Sequence, residues 1–138
     1  MLTALEQRLV KLRGTQVDVS AEDVPDENGT AAVGLRFSDG TILKAFYWRL
    51  IQHGRAVLSS FDHRQQYGLP APIDATQEMS RLLHGTSCSD ARFDRETADL
   101  ILLFGNSLKL QIFNFTAYEI WQIHFPDGSV EYSNYALG

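Results

Sequence analysis

Histidines and the single cysteine are the first residues of this chain to consider for metal binding and proton exchange. No two histidines stand at the i, i+2 or i, i+4 spacing that places two metal ligands on one face of a strand or helix. Asp62 and His63 are neighbours in sequence, so on a strand their side chains point to opposite faces and cannot form an acid–base pair. The sequence predicts no metal site and no cofactor, although a site assembled from distant residues stays open. The residues considered are His53, His63, His84, His124 and Cys88.

The motifs of nucleophilic catalysis and of phosphate binding are also absent from the sequence. No serine lies in a G-x-S-x-G elbow. The glycines from Gly34 to Gly40 fall in a predicted strand and hairpin, whereas a phosphate-binding loop needs a strand-to-helix turn. These patterns favour a protein that is not an enzyme, and they assign no catalytic residue.

Glu119 is the polar residue whose position is most suggestive of a binding site. Strand alternation places it on the same face as Trp121, Ile123 and Phe125. A carboxylate on an apolar face pairs with a cation or has a raised pKa. The alternative is that Glu119 lies at the exposed end of its strand.

Aromatic residues complete the predicted binding set. Trp48 and Trp121 stand at matching positions of two similar halves, where they either line a pocket between the halves or act as twin core residues. Tyrosines near the C-terminus suit a protein interface or a dimer contact. The predicted binding residues are Trp48, Tyr118, Glu119, Trp121 and His124.

Hydrophobic periodicity and turn residues divide the chain into two helices and nine strands. The helices are predicted over residues 3–13, where Thr3 and Glu6 form a capping box, and from the N-cap Asp74 to His84. The apolar run 100–104 predicts a strand that is covered on both faces. The fold class is α+β with mainly antiparallel sheets. The strands are predicted over residues 15–20, 31–37, 41–51, 56–61, 87–93, 98–104, 108–115, 118–125 and 129–132.

The order of elements in the first half returns in the second half. Gly14-Thr15 corresponds to Gly85-Thr86, Leu35 to Leu102, and Trp48 to Trp121. This order predicts an internal duplication, a helix plus about four strands twice, within a single domain spanning 1–138. The pseudo-repeats are residues 1–63 and 74–135, joined by a Pro-containing connector. Residues 114–119 have no counterpart in the first half, so a site that breaks the symmetry is predicted there.

Composition and charge restrict the partners of the chain. The formal net charge of −5 argues against a nucleic-acid surface and is compatible with a basic partner protein. A lone cysteine fits a reducing compartment. No apolar run approaches the length of about 20 residues that spans a bilayer. We therefore expect a cytoplasmic protein with no membrane partner.

Four segments of the sequence carry a resemblance to a known group. The pattern L-x-F-x-x-G-x-x-L…W-[RQ]-[LI] in LRFSDGTILKAFYWRL, together with DLILLFGNSLKLQIF, YEIWQI and FPDG, resembles a group of small uncharacterised bacterial α+β proteins. That group has a tandem sheet pattern and a Y-E-x-W segment near the C-terminus, and such small acidic proteins resemble immunity proteins of bacterial toxin systems. The resemblance implies a protein-binding role and assigns no catalytic residue. The second half departs from the pattern at Gly105-Asn106-Ser107, where the glycine comes first.

Three functions follow as hypotheses. The first is a protein-binding module, an immunity-type inhibitor of a basic toxin. The second is a small-ligand binder or enzyme with a pocket between the halves, near Trp48, Glu119 and Trp121. The third is a structural protein that self-associates as a homodimer.

Overall fold

The computed structural model describes residues 2–22, 30–114 and 120–133, and this part of the chain forms two α-helices, ten strands and a short 3-10 helix. This content confirms the predicted α+β class. In chain order the elements are α1 (Ala4–Val10), β1 (Val17–Ala21), β2 (Val33–Phe37), β3 (Ile42–Ala45), β4 (Trp48–Gln52), β5 (Arg55–Ser59), the 3-10 helix (Ser60–Asp62), α2 (Ala75–Leu83), β6 (Cys88–Phe93), β7 (Leu100–Phe104), β8 (Leu108–Ile112), β9 (Trp121–His124) and β10 (Val130–Tyr132).

Both helices begin at the predicted caps. The Thr3 hydroxyl accepts a hydrogen bond from the Glu6 N–H at 3.1 Å, and the Glu6 carboxylate accepts one from the Thr3 N–H at 3.2 Å. The Asp74 carboxylate accepts from the Gln77 N–H at 3.1 Å. These bonds satisfy backbone donors that have no partner within the helix, which is why both helices start where they do.

The strands form two five-stranded sheets in which every neighbouring pair is antiparallel. The first sheet has the order β1-β2-β3-β9-β10, and the second has the order β5-β4-β8-β7-β6. Each sheet therefore takes three strands from one half of the chain and two from the other. One cluster of buried apolar side chains draws on both sheets and both helices. Each half completes the other half's sheet.

The predicted single strand over residues 41–51 is wrong. The chain forms β3 in the first sheet, leaves it at Phe46 and Tyr47, and enters the second sheet as β4. The buried side chains shift from odd positions, Leu43 and Ala45, to even positions, Trp48 and Leu50, across this break. One continuous strand could not bury both pairs on the same face.

The prediction that strand 100–104 is covered on both faces is also wrong. Leu100, Leu102 and Phe104 are buried, whereas Ile101 and Leu103 are only half-buried on the outer face of the second sheet. Their cross-strand neighbours there, Lys109 and Gln111, keep that face partly polar. A run of apolar residues is thus compatible with a sheet that is packed on one side only.

Each half has a buried tryptophan that bonds to its own half. Trp48 is 0% exposed and its indole N–H donates to the Ala31 carbonyl at 2.7 Å. Trp121 is 1% exposed and its indole N–H donates to the Ala98 carbonyl at 2.8 Å. Ala31 and Ala98 precede β2 and β7, so the matched residues make matched contacts. A duplication in the ancestry of the halves stays a prediction.

The helices add no candidate for membrane insertion. Within residues 2–22, 30–114 and 120–133, neither helix combines the length and the apolar character needed to cross a bilayer.

Replacing either buried indole is expected to weaken the fold. Trp48→Phe and Trp121→Phe should each lower the free energy of unfolding by about 1–3 kcal/mol, because a buried carbonyl loses its donor and the core loses volume. Urea unfolding followed by circular dichroism measures the change. The control is Leu69→Ala at a 48% exposed position, which should change stability by less than about 0.5 kcal/mol. Tryptophan variants as stable as this control would contradict the packing role.

Candidate functional site

The structure does not bring the predicted binding residues together. Trp48 and Trp121 lie in different sheets, and both are enclosed by the core. His124 follows Trp121 by three positions along β9, so it lies on the opposite, outer face of the first sheet. Tyr118 and Glu119 lie outside the described residues. A binding role for these five residues stays a prediction, and burial gives the tryptophans a packing role.

His124 is the one member of that set with an unusual environment. It pairs with Ile42 on one side and Val130 on the other. Its Nε2 atom is enclosed and has no hydrogen-bond partner in the described part of the chain. Both cross-strand neighbours are apolar, so the register places no titratable group opposite His124.

Cys88 is unsuited to nucleophilic chemistry at neutral pH. Its side chain is 0% exposed, and burial raises the pKa of the thiol to about 11. The thiol is therefore protonated, whereas the thiolate is the reactive form. Among the residues that the structure describes, no three His, Cys, Asp or Glu side chains are grouped so that they could hold a metal ion.

A groove of about 580 Å³ lies between α2 and β1, and we call it the α2–β1 groove. Strand residues 19–22 and helix residues Thr76, Gln77 and Ser80 line it, together with residues 30–32. Three charged or titratable side chains, His63, Arg64 and Asp74, complete the lining. The lining is therefore predominantly polar.

Local hydrogen bonds explain why His63, Arg64 and Asp74 meet at the start of α2. The connector folds back on itself, because the Arg64 N–H donates to the Ile73 carbonyl at 2.8 Å. His63 Nδ1 accepts the N–H of Ala75 at 3.2 Å, beside the Asp74 cap. The beginning and the end of the connector are thus held against the first turn of the helix.

The β1 side of the groove is an edge of the first sheet. The Glu22 N–H donates to the Ala32 carbonyl at 3.0 Å, and the Ser38 N–H donates to the Gln16 carbonyl at 2.9 Å. In an antiparallel pair the residues that bond to the partner strand alternate with residues that do not. The even-numbered residues of β1 therefore bond to β2, and the N–H and C=O groups of Val19 and Ala21 point away from it.

Carboxylates outnumber lysine and arginine side chains in the groove. Glu22 and Asp74 line it with one guanidinium, that of Arg64. Glu22 makes no ion pair with a described residue, and it extends over Gly34, where a Cβ atom would lie 2.9 Å from its Oε1. Beyond Glu22 the sequence continues with Asp23, Asp26 and Glu27, which lie outside the described residues. The groove therefore favours a ligand with positive charge.

In the other half, ion pairs join the α1 and β6 regions. Arg13, just after α1, contacts Asp90 of β6 at 3.1 Å, and Glu6 of α1 contacts Arg95, just after β6, at 2.8 Å. Between the described residues of α2 and β1 there is no such pair, because Arg81 contacts Glu78 within its own helix. The described ion pairs therefore connect helix and edge-strand regions in one half and not in the other.

Sequence reasoning missed this site because its lining comes from four separate segments. No local motif joins residues 19–22 to His63, Asp74 and Ser80. The one available signal was the stretch that begins at Glu22, where carboxylates accumulate without a lysine or arginine.

Comparison with known proteins finds no match for this chain among family models, curated proteins or solved structures.

Removing the Asp90 carboxylate is expected to break the ion pair that joins Arg13 to β6 and to flatten the pH dependence of stability. Burial alone would raise the pKa of Asp90, but hydrogen bonds from Arg92 and Arg13 outweigh it and hold the pKa below its usual range. A lowered pKa stabilises the folded state above the unfolded-state value, about 4, and this contribution is lost as the pH falls through the folded-state value. Asp90→Asn should cost about 1 kcal/mol at neutral pH.

Urea unfolding at a series of pH values measures both effects. The matched control is Glu78→Gln, which removes an exposed pair within α2 and should cost at most about 0.5 kcal/mol. An Asp90→Asn variant that loses stability in acid as steeply as the unmodified protein would contradict the assignment.

Proposed function

We propose that this chain is a cytosolic protein-binding module that takes up a basic partner in the α2–β1 groove, and that it acts as an immunity-type inhibitor of a basic toxin. The observation that carries the proposal is the open groove with its excess of carboxylates. The resemblance to small acidic bacterial proteins adds the immunity role.

The groove carboxylates can attract a cationic partner because no described lysine or arginine forms an ion pair with them. Several carboxylates outside the groove are balanced by arginines of the same chain, as Glu6 is by Arg95 and Asp90 by Arg13 and Arg92. Glu22 and Asp74, in contrast, make no ion pair with a described residue. The net charge of −5 adds long-range attraction for a cationic protein.

The competing hypothesis of a pocket between the halves draws no support from the described residues. The indoles of Trp48 and Trp121 are covered by core side chains, and each already donates its N–H to a backbone carbonyl. A ligand could contact either ring only by displacing that packing.

Neutralising the groove is expected to weaken binding to a basic partner. The first partner to test is the product of the gene directly upstream, which should inhibit growth when expressed alone and not when co-expressed with this protein. The double variant Glu22→Gln/Asp74→Asn should bind that product at least about tenfold more weakly by calorimetry, because the charge pairs are lost. Asparagine at 74 preserves the helix cap.

Two controls make the test specific. Glu96→Gln removes an exposed carboxylate from the turn after β6 and should leave affinity unchanged. Raising the salt concentration should weaken the unmodified complex more than that of the double variant. An upstream product that neither inhibits growth nor binds would contradict the immunity role, and a double variant with full affinity would contradict the groove as the site.

Self-association is the other candidate function, and it concerns a different surface. On the outer face of the second sheet, Ile51, Ile101 and Leu103 are half-buried and Val57 is 46% exposed. In the predicted internal repeat, Gly34, Arg36 and His124 of the first sheet correspond to Ile101, Leu103 and Ile51. The first sheet therefore lacks this group of aliphatic side chains at the matching positions.

A homodimer formed through that face would bury these aliphatic side chains. If it forms, light scattering should give a mass that rises with protein concentration, and Val57→Glu should restore the monomer. A monomeric mass at a low and at a high protein concentration would contradict the homodimer.

A further inference from the structure

β1 differs from the other edge strands in having a regular edge, which is bonded outward only just before the strand, where Gln16 bridges Ser87 and the Cys88 N–H donates to the Thr15 carbonyl. The two sheets end in β1 and β10 and in β5 and β6. The pairing of β6 with β7 shifts register between Cys88 and Asp90, and that of β5 with β4 shifts between Leu50 and Ile51. β10 has only three residues. β1 pairs with β2 over five residues without a shift. Bulges and short strands are the usual means of protecting an edge, and β1 has neither.

The groove places that edge within reach of a second chain. Val19 is half-buried and Ala21 is exposed, and their N–H and C=O groups point away from β2. α2 packs on β1, but the lining residues Thr76, Gln77 and Ser80 leave a groove between helix and strand. An extended segment seated there could bond to the strand on one side and contact the helix on the other.

The side chains around the edge specify the charge of such a segment. Asp18, Ser20 and Glu22 lie on the outer face of β1, opposite to Val17 and Val19. An added strand places every second side chain on that face, where lysine or arginine would meet the two carboxylates. The side chains between them would point toward α2, where threonine or serine suits the polar lining.

We propose that the partner binds by strand addition: an extended segment with basic residues at alternating positions pairs with β1 as a sixth strand of the first sheet. Main-chain hydrogen bonds to Val19 and Ala21 supply affinity, and the carboxylates of Asp18 and Glu22 select the basic side chains. This inference rests on the proposed function, because it specifies how the α2–β1 groove holds a basic protein.

The test uses the capped peptide Lys-Thr-Lys-Thr-Lys and two N-methylated forms of it. Methylation of the amides that face β1 removes the strand's hydrogen bonds, whereas methylation of the other amides leaves both the charge and those bonds in place. We expect the first form to lose at least about tenfold in affinity and the second to retain it. Amide exchange at Val19 and Ala21 should slow in the unmodified complex, and Glu-Thr-Glu-Thr-Glu should not bind.

A variant of the protein provides the matched experiment. Ala21→Pro removes an N–H that faces the groove and not β2, which an edge strand tolerates, and Ala21→Ser retains it. Proline should abolish peptide binding with an unchanged circular dichroism spectrum, and serine should not. Should proline unfold the protein, the methylated peptides still decide the question.

The outcomes separate this inference from the proposed function. Equal affinity of both methylated peptides, with chemical-shift changes at Glu22 and Asp74, would overturn strand addition and leave a charge-binding groove. Failure of the upstream product to bind, together with the expected peptide pattern, would overturn the immunity role and leave strand addition. No binding of the lysine peptide would overturn the inference.

Discussion

The two places where the chain changes sheets are hydrogen-bonded to each other, in continuation of the β3–β9 and β4–β8 pairing. The Phe46 N–H donates to the Ile120 carbonyl at 3.3 Å, and the Phe113 N–H donates to the Tyr47 carbonyl at 2.9 Å. Because each crossing sends a hairpin into the sheet of the other half, neither half can cover its apolar face alone. The tryptophan that begins each strand after a crossing then fills the core between the sheets. The rest of the molecule depends on this exchange.

The two halves are packed in the same way in the core, but the edge strands of the two sheets differ. Thr15 and Thr86 each donate a hydroxyl hydrogen bond to the carbonyl of the leucine three positions back, at 2.6 and 2.8 Å, so β1 and β6 start in the same way. β6 then has a register shift and is tied to the segment after α1 by the Arg13–Asp90 ion pair. β1 has no register shift and lies beside the α2–β1 groove. Because the halves share the same core packing and differ at the surface, the α2–β1 groove can bind a partner without loss of core contacts.

Local patterns in the sequence predicted most of the fold and little of the candidate site. The caps at Thr3 and Asp74 and the hairpin turns were predictable because each depends on residues within about four positions of one another. The break at Phe46 was visible as a shift in the parity of buried residues, but its meaning was not, because a parity shift can also mark a bulge. The groove lining joins residues 19–22 to Ser80 and was beyond any local pattern.

By itself the sequence determined the helices, the strand content, the turns, the α+β class and the acidic balance, since periodicity, capping and composition act over short stretches of chain. Only the tertiary structure decided which sheet each strand joins, that Trp48 and Trp121 are core residues, and that β1 is the open edge. These features depend on pairing between strands that are far apart in sequence, as β3 is from β9. The physical reason is that a strand's own residues specify its two faces, while its edges are specified by its neighbours.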